Sequence, residues 1–301
     1  MSPLPWHNLR QLQKAPMHLL THPTRRTRPS GTDMYGIYRN MVLFDFKNEI
    51  HSGFFVAYYR NFAIPSTART LAATGEMKSR PMKRSYDTGI IIHEVIANGF
   101  EHERSQAMIE LLRRVHKGVP GTSDDFVYVL MTLLVLPLRW TERHGWRRLT
   151  GLERQAATDF YAELGRQMGL EGIPATFAEA ERFLDGYEDR NMGPSPEGSM
   201  LLNATVEAFA SRIPTRLRRF TPTILALMMD KPQVAVALGL KPAPAALRMP
   251  FNAVLRFRSL KARRRPLPTE PIFVPGRMNV VAYPDGYTLD QIGPWGKSAN
   301  I

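Results

Sequence analysis

The chain has 301 residues, 44% of them hydrophobic and 22% charged, a balance that suits a folded protein with a sizeable core. It contains no cysteine, which excludes disulfides, thiolate-held metal and a cysteine nucleophile and leaves eight histidines as the main candidate metal ligands. A formal charge of +13 favours contact with an anionic partner, either nucleic acid or a membrane surface.

Residues 1–32 hold five prolines and carry Arg10, Lys14, Arg25, Arg26 and Arg28 without an acid. They read as a basic arm, draped or disordered, and lack the continuous apolar run of a secretory signal. From 33 to 240 the pattern is mostly helical. Asn40–Ala63 is rich in Phe and Tyr. Pro65 then disfavours helix at Ile64 and suits the first turn of a short helix over Ser66–Ala73. Gly75 to Pro81 reads as a loop. In Glu103–Lys117, Met108, Ile109, Leu111, Leu112 and Val115 give an amphipathic helix that Gly118 and Pro120 close.

Thr122 or Ser123 suits the cap of the next helix, with Asp124 and Asp125 at its positive end. The apolar run Phe126–Leu138 is shorter than the roughly 20 residues of a bilayer span and is expected to stop at Pro137 as a core helix. Thr150 with Glu153, and Thr176 with Glu179, are capping boxes that open helices to about Met168 and about Arg190. Asn191–Gly198 is a loop and Met200–Arg212 a further helix. Prolines 214, 222, 232, 242, 244 and 250 predict short helices beyond Ile213, and 266–301 reads as irregular with one strand at Asn279–Tyr283. The expectation is an all-α domain over 33–240, with a basic arm at 1–32 and a basic extension at 241–301. A cytoplasmic protein, at most peripheral to a membrane, is expected.

Within that extension, Leu247–Arg265 contains seven cations and no acid. Leu247, Phe251, Val254, Leu255 and Leu260 are expected to share one face, as in an interfacial membrane helix. A solvated basic helix packed on the domain fits the same pattern equally well.

Two groups of residues suggest chemistry. If 83–97 is helical, Arg84, Asp87, Thr88 and Ile91 lie along one stripe. Arg84 could then anchor a carboxylate bidentately, and Asp87 could accept a proton. Against this stands an ordinary Arg84–Asp87 pair on a solvated face. His116 shares a face with Ile109 and Leu112, beside Arg113, and so could coordinate iron through one ring nitrogen. The plainer alternative is a histidine interacting with the free carbonyls of its helix end.

His93-Glu94 lacks the second histidine of a zinc motif, and His102 and His144 read as surface residues. Hydrolase, Walker and Rossmann signatures are absent. The run from Arg139-Trp140 to Trp146-Arg147-Arg148 suits either a nucleic-acid surface or stacking at a helix end.

Taken together, the order of these pieces resembles the family that unites bacterial rubber oxygenases (latex-clearing proteins) with the fungal membrane-bound mpaB-type oxygenases. The fungal branch cleaves a prenyl side chain in mycophenolic acid synthesis. The resemblance spans about Asn48 to Leu240. It is strongest from Arg113-x-x-His116 through Asp124-Asp125-x-x-Tyr128 and Pro137-x-Arg139-Trp140 to Gly145-Trp146-Arg147-x-Leu149-Thr150.

This resemblance implies a globin-like helical fold holding haem b, with His116 as the proximal iron ligand and Arg113 near it. It places Arg84 and Thr88 on the distal side. Asp87 stands where the rubber oxygenases have lysine, which points to the prenyl-cleaving branch rather than to rubber. The implied function is oxygenation of a hydrophobic, isoprenoid-like substrate with O2, with oxidative cleavage of a C=C bond as one form of it, at a membrane where such substrates dissolve. The alternatives are a non-catalytic haem or lipid carrier and, on charge alone, a nucleic-acid-binding protein.

Overall fold

The computed structural model describes residues 33–210, 214–278, 280 and 282–294. The expected arm over 1–32 lies outside them. The described chain is all-α. Helix α1 (Met34–Asn40) runs through a π-helical turn into α2 (Lys47–Arg60). Next come α3 (Pro65–Ala73), α4 (Glu76–Ser79), α5 (Pro81–Asn98), α6 (Glu103–His116), α7 (Ser123–His144) and α8 (Gly151–Gln167). The chain continues through α9 (Phe177–Asn191), α10 (Pro196–Ala210), α11 (Thr215–Arg218), α12 (Thr221–Met228), α13 (Pro232–Ala237) and α14 (Ala245–Arg263).

Local signals account for many of these boundaries. Ile64 is extended and Pro65 opens α3. Thr122, Thr150 and Thr176 each accept a hydrogen bond from the backbone N–H three residues on, and the carboxylates of Asp125, Glu153 and Glu179 accept one from the cap's own backbone N–H, which satisfies otherwise free helix-start N–H groups. Gly118 and Gly169 adopt the positive φ that lets the chain leave α6 and α8. The loop expected at Gly75–Pro81 contains the one-turn α4.

The core forms where α7 crosses α2, and it corrects the expected stop at Pro137. Helix α7 continues through that proline to His144. The tolerance comes from packing: a Cβ built on Gly53 of α2 would lie 2.2 Å from the Pro137 Cα. The missing side chain lets the two backbones approach closely, and this contact holds the helix past its lost hydrogen bond. Thr141 Oγ1 donates to the Pro137 carbonyl at 2.8 Å, adding a local bond at the same point.

The expected division at residue 240 does not mark an edge of packing. Phe273, Tyr283, Tyr287 and Ile292 belong to the same buried cluster as α2, α5 and α7. The backbone of this segment is irregular, as expected. In place of the strand at Asn279–Tyr283, Val280 and Tyr283 form an isolated antiparallel bridge, and residues 279 and 281 lie outside the described ones. Helix α14 is longer than its prolines predicted, carrying Pro250 within it. Its expected apolar face divides. Phe251 and Leu255 pack on the core, whereas Leu247, Val254 and Leu260 are exposed.

A buried ion cluster ties the later helices to the core. Arg60, fully buried, donates to both oxygens of Glu188 on α9 at 2.5 and 2.8 Å, and to Asp230 before α13 at 2.6 Å. The two parallel bonds match the planar guanidinium fork to a carboxylate. Removing the cation would leave a buried carboxylate without its partner. Arg60→Met is expected to lower unfolding free energy by about 3–5 kcal/mol, read from urea or guanidinium denaturation.

Candidate functional site

Helix α5 carries two polar stripes that do different work. On one, Arg84 Nη1 donates to Thr88 Oγ1 at 2.5 Å, one turn on. On the neighbouring stripe Lys83 Nζ donates to Asp87 Oδ2 at 2.7 Å. The Arg84–Asp87 pair considered from spacing does not form, because Lys83 takes the carboxylate at i,i+4. Among the described residues no carboxylate forms an ion pair with Arg84, which is half-buried.

Asp87 is itself buried and saturated. Beyond Lys83 it accepts from the Tyr283 hydroxyl and from the Gly293 backbone N–H at 3.0 Å. Burial, and then the bond to Asp87, push the Tyr283 phenol well above its ordinary range, so Tyr283 is a neutral donor. Lys83 also donates to the Gly293 carbonyl at 3.0 Å. The carboxylate therefore fastens the C-terminal segment to α5.

His116 ends the neighbouring α6, half-buried, with Phe126 edge-on to its ring at 5.5 Å between centroids. Its Nδ1 lies 2.8 Å from the Leu112 carbonyl, which can only accept, so Nδ1 carries the proton and Nε2 the lone pair. Burial lowers its pKa, and the Arg84 charge adds to that fall while the bond to Leu112 opposes it. The ring is thus held neutral and oriented, as a metal-binding imidazole must be. Helix α6, which carries His116, packs against α5, which carries Arg84. Arg113 is not part of this grouping. Half-exposed, it donates to the Gln167 carbonyl at 2.5 Å and lies 3.7 Å from Glu110.

Tyr58 belongs beside Arg84 and was not singled out from the sequence. Its hydroxyl lies 2.8 Å from Ser85 Oγ, and it senses the Arg84 charge. Nothing in its local spacing distinguishes it from the other aromatic residues of α2. Among the described residues no three His, Asp or Glu side chains converge on a bare ion. The donor set at α5–α6 is instead one neutral imidazole near an unpaired cation. This combination fits a haem, whose porphyrin supplies the remaining iron ligands and whose propionates need a cation.

The other histidines and the tryptophan run are accounted for within the fold. His102 is exposed and caps α6. His144 is not a simple surface residue: it packs on Trp140 at 4.5 Å, and burial lowers its pKa to about 4. Arg139 pairs with Glu181 and Asp185, while Arg147 pairs with Glu153 and stacks over Phe46 and Trp146. These residues follow the stacking alternative.

The fold is similar to that of a latex clearing protein solved in its closed state, matched with a TM-score of 0.55 at 18% identity over 82% of this chain and 72% of the other. At the sequence level, residues 50–260 match the family described as ER-bound oxygenase mpaB/B′/rubber oxygenase, catalytic domain. The chain belongs to that family. It is 26% identical over 264 residues to the ER-bound oxygenase mpaB′ of Penicillium brevicompactum, covering 81% of this chain and 60% of the relative. It is 28% identical over 176 residues to the ER-bound oxygenase mpaB of Penicillium roqueforti (strain FM164), covering 56% of this chain and 57% of the relative. The chain thus spans about 60% of the length of such relatives.

Asp87→Asn places an amide donor among three donors. It is expected to cost about 1–3 kcal/mol of stability and to speed amide exchange over 266–294, read by hydrogen–deuterium exchange. A second expectation concerns His93, which is buried against His51 and Phe273 with its Nε2 lacking a hydrogen-bond partner. Burial lowers its pKa from 6.5 to about 4, so between those values the unfolded chain binds the extra proton. Stability should therefore fall by about 1–3 kcal/mol as pH drops through that window, and His93→Phe should flatten part of the slope in urea midpoints.

Proposed function

We propose that the protein is a haem b-dependent oxygenase that uses O2 on a hydrophobic, isoprenoid-like substrate, with C=C cleavage as the outcome most in keeping with its family. The single observation that carries the reading is that packed helices α5 and α6 carry His116, neutral and fixed at Nδ1, and Arg84, a half-buried guanidinium that no carboxylate among the described residues neutralises. Family membership supports the oxygenase class.

In this reading His116 Nε2 is the protein's ligand to the haem iron, and the bound haem supplies dioxygen activation. The Leu112 carbonyl fixes the ring's tautomer and its direction. Arg84 holds an anionic group, a propionate or charge developing near the substrate, and Thr88 fixes the Arg84 side chain from one turn away. The buried aliphatic side chains Ile91, Ile92 and Val95, which follow on α5, exclude water behind this polar edge. Arg113 steadies the end of α6 through α8, which helps set the height of His116. Asp87 acts by fixing the rotation of α5 rather than by exchanging a proton, since three donors already occupy it.

The haem-loaded protein is expected to show a Soret band that His116→Ala abolishes. Arg84→Gln and Thr88→Val should keep the band and lower substrate-dependent oxygen uptake by about tenfold or more. Wild-type protein with no Soret band after reconstitution would overturn the reading. A band without oxygen uptake across prenylated substrates would favour the carrier alternative.

A further inference from the structure

Helix α14 presents an apolar face that the rest of the described chain leaves uncovered. Side chains Arg248, Phe251, Leu255, Ser259 and Ala262 are half-buried, and their three- and four-residue spacing defines the face turned toward the body. Ser259 Oγ donates to the Gly145 carbonyl at 2.7 Å, fixing this face at the end of α7. The opposite face carries Met249 (79% exposed), Phe257 (68%), Val254, Leu260 and Leu247. Ala246, Pro250 and Ala253, also exposed, fall between them and make the stripe continuous.

The charges are arranged around this stripe. Helical geometry puts Arg256 and Arg263 along one border and Arg258 along the other, with Lys261 the one cation inside it. Residues 241–265 contain no acid. Helix α12, which α14 contacts, exposes Ile224, and its N-cap Phe220 is exposed too.

We infer that the outer face of α14 lies in the interfacial layer of an anionic lipid bilayer, with the apolar stripe among the acyl chains and the bordering arginines at the headgroups. Two observations select this occupant. A second copy of the chain would bring two acid-free, arginine-bordered faces together, and the repulsion opposes pairing. A nucleic acid would satisfy the arginines but would leave Met249, Phe257 and Leu260 against a phosphate backbone that offers them nothing. An anionic bilayer matches both the apolar centre and the cationic border. No helix among the described residues is long and apolar enough to cross a membrane, so α14 would lie along the surface.

The full chain provides its own test. It has no cysteine, so Phe257→Cys takes an environment-sensitive fluorophore at one site. Glu171→Cys serves as the control, exposed beside Ser123 at the opposite end of α7. Phosphatidylglycerol-containing vesicles should blue-shift the label at 257 and leave the label at 171 unchanged, whereas pure phosphatidylcholine vesicles should bind at least about tenfold more weakly. The variant M249S/F257S/L260S should lose about tenfold or more in vesicle co-sedimentation while keeping its helical circular dichroism and melting temperature.

Equal binding by wild type and this variant, or no shift at position 257, would overturn the inference. A label already shielded without vesicles, together with a dimer in sedimentation, would overturn it in favour of a second copy. Haem binding, read from the Soret band, is a separate measurement, so the two proposals fail independently.

Discussion

A carboxylate buried in a helical core must meet donors or it destabilises the fold, and α5 carries two of them. Asp87 and Glu94 stand seven residues apart, two turns of one face, and both are buried. Each is met by a tyrosine from the C-terminal segment, Asp87 by Tyr283 and Glu94 by Tyr287, four residues apart in the chain. Each also has a cation of its own, Lys83 for Asp87 and Arg104 for Glu94. The match of spacing on both sides fixes the rotation of α5 and the register of a segment that has almost no regular structure.

That rotation determines what the neighbouring stripe can do. Were Asp87 to pair with Arg84, the guanidinium would be neutralised and unable to attract an anion. Lys83 prevents this by holding the carboxylate on its own stripe, where Tyr283 and the Gly293 N–H complete its bonds. Arg84 is left with a hydroxyl partner, Thr88, and with a neutral imidazole, His116, as its neighbour on α6. A half-buried cation with no carboxylate partner among the described residues is costly unless a ligand completes it, and the proposed function gives Arg84 such a ligand.

What the sequence made legible was local. Thr122, Thr150 and Thr176 cap helices because the partner that completes each box lies three residues away. The bond between Arg84 and Thr88 on α5, four residues apart, follows from helical spacing in the same way. The unread features depend on residues far along the chain. Pro137 looked like a stop because its compensation comes from Gly53 on another helix. Asp87 looked free for chemistry because Tyr283 and Gly293 lie about 200 residues away. Lys83 stands at i,i+4 to Asp87 and Arg84 at i,i+3, and spacing alone does not say which of the two cations takes the carboxylate.

The same division between local and distant partners explains where the charge of +13 is expressed. Through the middle of the chain several arginines are matched by acids: Arg60 by Glu188 and Asp230, Arg104 by Glu94, Arg139 by Glu181 and Asp185, Arg147 by Glu153, Arg154 by Glu142. These cations fasten helices together and leave little net field behind. The cations of α14 have no acid within their own segment and border a row of exposed apolar side chains. Among the described residues, the long acid-free run of cations therefore lies on α14 and the residues that flank it. A field confined to one face orients the molecule as well as attracting it, because only one approach brings the arginines and the apolar stripe to a surface together.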